Sequence, residues 1–314
     1  MIKNYLLKKI AMMVPVLLGI SMIVFILGVL SPGDPAEFAL AQNGLDMPTD
    51  AQIMAMREEM GLNRPILERY GSWLLQVLQG DLGTSYITGR HIFHELMLRL
   101  PVTLCLAFSS LVVAGIVGIG MGVVCAINEG KFIDKAVNSI TNAMLAVPGF
   151  WLALVLILLF SETLRLLPTS GSNGWQSFVL PTMVLSCATS GMVCRFMRGM
   201  LLNEFSSQYF LVARIRGISK LKLLLSYAVP NAIIPVIALL GNYFAGVLGG
   251  SAIVESIFAL PGLGTMALDA IRFRDYPVLQ AYVLVSGFTL VIVTLLVDLL
   301  IFYYNPRIKA GGKE

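Results

Sequence analysis

The residues in this chain whose types could do chemistry are few and scattered. His91 and His94 stand at i, i+3 with Glu95 beside them. One helical turn would bring the two imidazoles together, but two ligands make an incomplete metal site without a third. Cys105, Cys125, Cys187 and Cys194 fall in or near apolar runs with neither metal nor disulfide spacing, and read as small buried hydrophobes. Glu255 and Asp298 are acids carried by apolar stretches, where a charge is costly and faces protein or water. Asp298 reads as structural, paired with a polar or basic partner. The chain has no Gly-x-x-x-x-Gly-Lys-(Ser/Thr), hence no phosphate-cradling loop. It has no Ser/His/Asp arrangement, no paired carboxylates in a soluble cleft and no run of acids and histidines fit for a proton relay. Any energy it uses must come from another polypeptide, and no cofactor of its own is expected.

The elements that carry these residues are apolar. Of 314 residues, 57% are hydrophobic and 13% charged, with mean hydropathy +0.82. Such a chain cannot cover its core with polar surface in water, so it belongs in a bilayer. Six stretches are long enough to span ~30 Å of hydrocarbon as helices: Ile10–Leu30, Val102–Ile127, Ala136–Phe160, Phe178–Val193, Ala232–Val254 and Val278–Tyr303. The net charge of +4 matters through its placement. Lys3, Lys8 and Lys9, Lys131 and Lys135, Arg195 to Lys222, and Arg307 to Lys313 collect on one side, which sets both termini in the cytoplasm. The first apolar run is longer than a signal-peptide core and reads as an uncleaved span.

Residues 1–30 form the tail and first span, 31–100 an external region, and 101–314 a five-helix core with a cytoplasmic loop at 195–231. In the external region Ile66, Leu67, Tyr70, Leu74, Leu75 and Leu78 make a helical stripe over Ile66–Leu78. Gly118 and Gly122 in the second span, and Gly246 and Gly250 in the fifth, are small-xxx-small pairs that let another helix approach. Pro148-Gly149-Phe150-Trp151 interrupts the third span and predicts a kink. The cytoplasmic stretch from Phe205 to Pro235 holds Arg214, Arg216, Lys220 and Lys222 and no acid. It predicts one helix ending at Gly217, where a left-handed residue can stop it, and a second over Ser219–Val229 ended by Pro230.

Ala213, three residues, Gly217, nine residues, then Tyr227-Ala228-Val229-Pro230 resembles the EAA loop of ABC-importer permeases. Leu211 and Val212 stand where that pattern has Glu and Ala, and Tyr227 where it has Ile. Pro32 to Ala36, Gly61 to Pro65, Tyr70, Trp73 and Gly80 to Ser85 resemble, in order, the external region of the oligopeptide, dipeptide and nickel branch of those permeases. Glu255, Phe258, Pro261, Gly262, Leu263 and Gly264 resemble the branch's Glu-x-x-Phe-x-x-Pro-Gly-(Leu/Ile)-Gly, and Tyr304-Asn305-Pro306-Arg307 its Asp-Pro-Arg terminus with Asn for Asp.

The resemblance implies an all-α protein with the type I ABC-importer permease fold and six transmembrane helices, in the bacterial cytoplasmic membrane. It implies a second homologous permease subunit, two ATPase subunits that bind the ATP and Mg, and an external solute-binding protein. Leu211, Val212, Ala213, Arg214, Arg216, Gly217 and Pro230 are then the coupling residues. Pro148, Trp151, Gly246, Gly250, Glu255, Pro261 and Gly262 are the candidates for the pore and outer gate. The WLLQ, LPTSG and GTSYITG segments look closest to nickel or metal-chelate permeases, with di- or oligopeptides as the alternative cargo. A reading of another class is an ion-coupled secondary transporter, which calls for an inverted repeat and midplane charges; no clear repeat is present.

Overall fold

The apolar runs fold as helices because a backbone in lipid must satisfy its own hydrogen bonds. The computed structural model describes residues 2–30, 32–42, 47–172 and 174–304. The helices are α1 (Ile2–Val29), α2 (Pro35–Gln42), α3 (Asp50–Glu59), α4 (Ile66–Leu78), α5 (Ile92–Ile127), α6 (Phe132–Ala146), α7 (Gly149–Leu156), α8 (Val179–Phe205), α9 (Gln208–Ile215), α10 (Lys220–Leu223), α11 (Val229–Ile257), α12 (Leu263–Phe273) and α13 (Tyr276–Tyr304). Among the described residues there is no strand, only a single bridge between Thr84 and His91. Five helices are long and apolar enough to cross a membrane, and the bent pair Phe132–Ala146 and Gly149–Thr163 makes a sixth if counted as one span. The Asn305-Pro306-Arg307 terminus lies outside the described residues.

Three of the differences from the hydropathy reading have a local cause. α5 begins at Ile92 rather than Val102, because the charges of its first turns are neutralised locally: Arg99 Nε lies 3.6 Å from Glu95 Oε2, and Arg90 Nη1 3.1 Å from Glu95 Oε1. α8 runs past Val193 to Phe205, since Arg195 donates to Asn142 and Arg198 to Asp134. Pro230 does not end a helix. A π-helical turn over Leu224–Ala228, closed by Val229 N–H to Leu224 O, leads into α11 with Pro230 in its first turn. The wider π turn accommodates a residue that cannot donate.

The chain divides into two units. In the first, residues 1–101 and 265–291, α4 docks on α1 through aromatic rings. Phe25 meets Tyr70 at 5.4 Å and Trp73 at 5.7 Å between centroids, and the hydroxyls of Ser21 and Tyr70 are 2.8 Å apart. Asp34 Oδ1 accepts from Ala36 N–H at 3.0 Å and opens α2, while its Oδ2 accepts from Arg57 Nη1 at 2.7 Å. Asp275, which nothing in the sequence singled out, holds the 85–86 strap: Ser85 Oγ donates to its Oδ2 at 2.5 Å and Tyr86 N–H to its Oδ1 at 3.1 Å.

The second unit, residues 102–264 and 292–314, packs α5 on α8 at glycines. A Cβ on Gly118 would stand 2.6 Å from Val193 Cβ, and one on Gly122 2.7 Å from Met197 Cβ. Leu201, Met197, Val193, Ala228, Ala232 and Val236 form a fully buried core where α8 meets α11.

Candidate functional site

The basic loop of the second unit folds into a short, capped helix. α8 stops at Phe205, and Ser207, extended at ψ 148, starts α9. Gly217 takes φ +77. Its N–H bonds to Arg214 O at 3.1 Å, and Ile218 N–H bonds to Ala213 O at 3.4 Å. This is the paired closure of a Schellman motif, which needs a left-handed residue at that position. The separation of α8 from α9 by Ser206 and Ser207 replaces the single helix expected from Phe205 to Gly217.

α9 is two-sided. Ala213 is buried, and Phe210 packs on the α8–α11 core and on Phe205 at 5.2 Å. Leu211, Val212 and Ile215 point the other way, and Ile215 is 77% exposed. Arg214, Arg216, Lys220, Lys222 and Pro230 are exposed around them, as are Leu221 and Leu225. An apolar patch ringed by cations on a rigid helix is suited to docking in a cleft of opposite charge, not to lying free in water.

A polar triangle anchors this helix, and it was not visible in the sequence. Tyr209 Oη donates to Glu204 Oε2, and Asn231 Nδ2 donates to Tyr209 Oη at 3.0 Å and reaches Glu204 Oε2 at 3.4 Å. The end of α8, the start of α9 and the start of α11 thereby share one knot. The only available signal was an acid closing an apolar span, five residues before a tyrosine in a basic loop.

Deeper in the same unit, Glu255 is fully buried. Its Oε1 accepts from Thr103 Oγ1 at 2.8 Å and from Ser251 Oγ at 3.1 Å, and Thr103 Oγ1 in turn accepts from Leu263 N–H at 2.8 Å. Gly262 and Gly264 leave room for the carboxylate: a Cβ on Gly262 would stand 2.4 Å from Glu255 Cδ, and one on Gly264 2.8 Å from Oε2. Glu255 ties α5, α11, the Pro261 turn and the start of α12 together.

The other sequence candidates lie apart from this node. Pro148 caps α7 at the break where α6 and α7 turn by 100°, so the expected interruption of the third span is a sharp bend. Trp151 is half exposed beyond it. Gly246 has open space where a Cβ would be; the packing of Gly250 falls outside the described residues. Asp298 is half-buried on α13. His91 precedes α5 and His94 lies in its first turn, both exposed, and among the described residues no three histidines, cysteines or acids gather where they could hold a metal ion.

Residues 118–310 match the family described as binding-protein-dependent transport system inner membrane component, and residues 1–107 match its N-terminal counterpart. The chain is 34% identical over 307 residues, 98% of its length and 99% of theirs, to the glutathione transport system permease protein GsiC of Salmonella typhi, and 33% identical over the same span to that of Escherichia coli K12. Among solved structures it resembles the inward-facing MetNI methionine ABC transporter at TM-score 0.56 and 16% identity, covering 67% of this chain and 96% of that one. It also resembles an amino acid ABC transporter with histidines at TM-score 0.52 and 19% identity, covering 66% and 92%. These two likenesses carry the fold alone.

Proposed function

The chain belongs to the family of binding-protein-dependent transport inner-membrane components, and from that membership we propose that it moves short peptides of the glutathione class through the bacterial inner membrane. It is a multi-pass permease subunit of an ABC importer. The full-length identity to glutathione permeases carries the substrate reading, and it favours the peptide alternative over nickel or a metal chelate.

The mechanism follows from α9. A helix capped at Gly217 and knotted to α8 and α11 through Glu204, Tyr209 and Asn231 moves as a rigid piece. Leu211, Val212 and Ile215, with Arg214 and Arg216 around them, supply the surface that an ATPase subunit grips. A displacement of that surface reaches two spans at once. Permease, ATPase pair and external binding protein then divide the work, and this chain contributes the path and the lever rather than bond chemistry.

The deciding experiment is uptake of labelled glutathione, labelled trialanine and radioactive nickel into vesicles carrying the chain with its partner subunits and binding protein, with and without ATP. ATP-dependent peptide uptake supports the reading. ATP-dependent nickel uptake without peptide uptake returns the cargo to metal, and uptake driven by an ion gradient alone overturns the importer mechanism.

A further inference from the structure

A cavity of about 490 Å³ opens in the first unit, between α1, the end of α3, α4, the 81–86 segment and the start of α13. That size falls within the roughly 300–1,000 Å³ of small-ligand sites. Two cations line it, Arg64 and Arg69. Arg64 lies across Gly61, where a Cβ would stand 3.2 Å from its Nε. Neither guanidinium has an ion-pair partner among the described residues, whereas Arg57, Arg90 and Arg99 of the same unit are all paired. Two acids, Glu59 and Asp81, line the same cavity, as do Trp73 and Tyr86. Tyr86 stacks on Phe38 at 4.9 Å. Burial, reinforced by Asp275 and Asp34, pushes its phenol up to about 12, so its hydroxyl stays a donor.

We infer that this cavity is a peptide site on the permease itself: Arg64 and Arg69 take the free C-terminal carboxylate of a short peptide, Glu59 and Asp81 face its ammonium end, and Trp73 and Tyr86 flank the residues between. The guanidinium fork matches a carboxylate with two parallel N–H···O bonds. Both signs in one cavity select a zwitterion. A bare metal cation meets two arginines there, and a small inorganic anion meets two acids. The aromatic walls accept side chains of varied shape through their faces. The segment 31–100, external in the expected topology, supplies most of the lining. The inference deepens the peptide reading above and rests on it for the ligand class.

The test is equilibrium binding of labelled trialanine to the full chain, assembled with its partner subunits in lipid nanodiscs and with the binding protein left out. Saturable binding is expected, weakened about tenfold or more when the probe is the C-terminal amide, the factor that about 1.4 kcal/mol represents. Arg64→Gln and Arg69→Gln should each weaken trialanine and leave the amide unchanged. The amide arm requires no substitution, so a folding defect in either variant does not blunt the test. Absence of saturable binding, or equal binding of acid and amide, overturns the site. Vesicle uptake run beside it separates the two ideas. Peptide uptake without permease binding removes the site and leaves the transport reading intact; permease binding without peptide uptake keeps the site and removes the transport reading.

Discussion

The guanidinium of Arg198 grips the carboxylate of Asp134 with both prongs, Nε to Oδ1 at 2.9 Å and Nη2 to Oδ2 at 2.8 Å. Asp134 Oδ2 also accepts from Gly130 N–H at 3.0 Å, and Asn138 Nδ2 donates to Oδ1 at 2.9 Å. The pair joins the first turn of α6 to the last turns of α8, one short step from α9. Removing one partner leaves the other charge without compensation. The cost of breaking a buried pair is roughly 3–5 kcal/mol; here the low end applies, because the Arg198 side chain is 27% exposed. Asp134→Leu and Arg198→Met should each lower the thermal midpoint in detergent, and the double variant that combines them should lose less than the sum of the two. A double variant as unstable as the sum of the singles would remove the pair from the account.

Gly217 carries a second prediction. Its φ of +77 suits glycine, and open space surrounds the position where a Cβ would be. Substitution therefore strains the backbone without a clash, at a cost of about 1–2 kcal/mol for a residue forced left-handed. Gly217→Val should loosen the α9 cap and raise the ATP hydrolysed per substrate imported, and Gly217→Asn, which tolerates that conformation, should do so less. Equal ratios in wild type and Gly217→Val would detach α9 from coupling.

The parts of this structure legible in the sequence are those set by local rules. The apolar stripe gives α4 its bounds, and Gly217 marks the end of α9 through the one conformation that glycine tolerates best. The illegible parts depend on partners distant in sequence. Arg195 and Arg198 read as the end of a span until Asn142 and Asp134 are seen to satisfy them. Glu95 and Arg99 likewise delayed the start of α5. Pro230 reads as a stop until the π turn before it is known, and no periodicity announces such a turn. Asp275 is a lone acid before a helix, and its hold on Ser85 spans most of the chain.

Glu255 and Gly262 should behave as one unit. Gly262 has no left-handed backbone, so alanine there is strained only by the carboxylate 2.4 Å away. Seating the methyl displaces Glu255 from Thr103 and Ser251, and a buried charged group that loses its donors costs about 1–3 kcal/mol or more. Gly262→Ala should be strongly destabilising in the native background and nearly silent beside Glu255→Ala. Additive losses in a double-mutant cycle on thermal unfolding would show that the glycine serves another contact.

The last prediction sets two glycines of α5 against each other. A Cβ at Gly118 would stand 2.6 Å from Val193 Cβ and 2.7 Å from Ser190 O, a backbone atom that cannot swing aside. Gly120, half a turn away, has nothing within 4 Å. Gly118→Ala must push α8 off α5, opening the buried contacts of Val193 and Met197, and overpacking of this kind costs roughly 1–3 kcal/mol. Gly120→Ala meets no neighbour and removes the backbone freedom of glycine, worth about 0.5–1 kcal/mol in a helix. The first should lower the thermal midpoint of the purified protein and the second leave it unchanged or raise it. If both shift it alike, then helix propensity rather than the close approach of α5 and α8 governs this face.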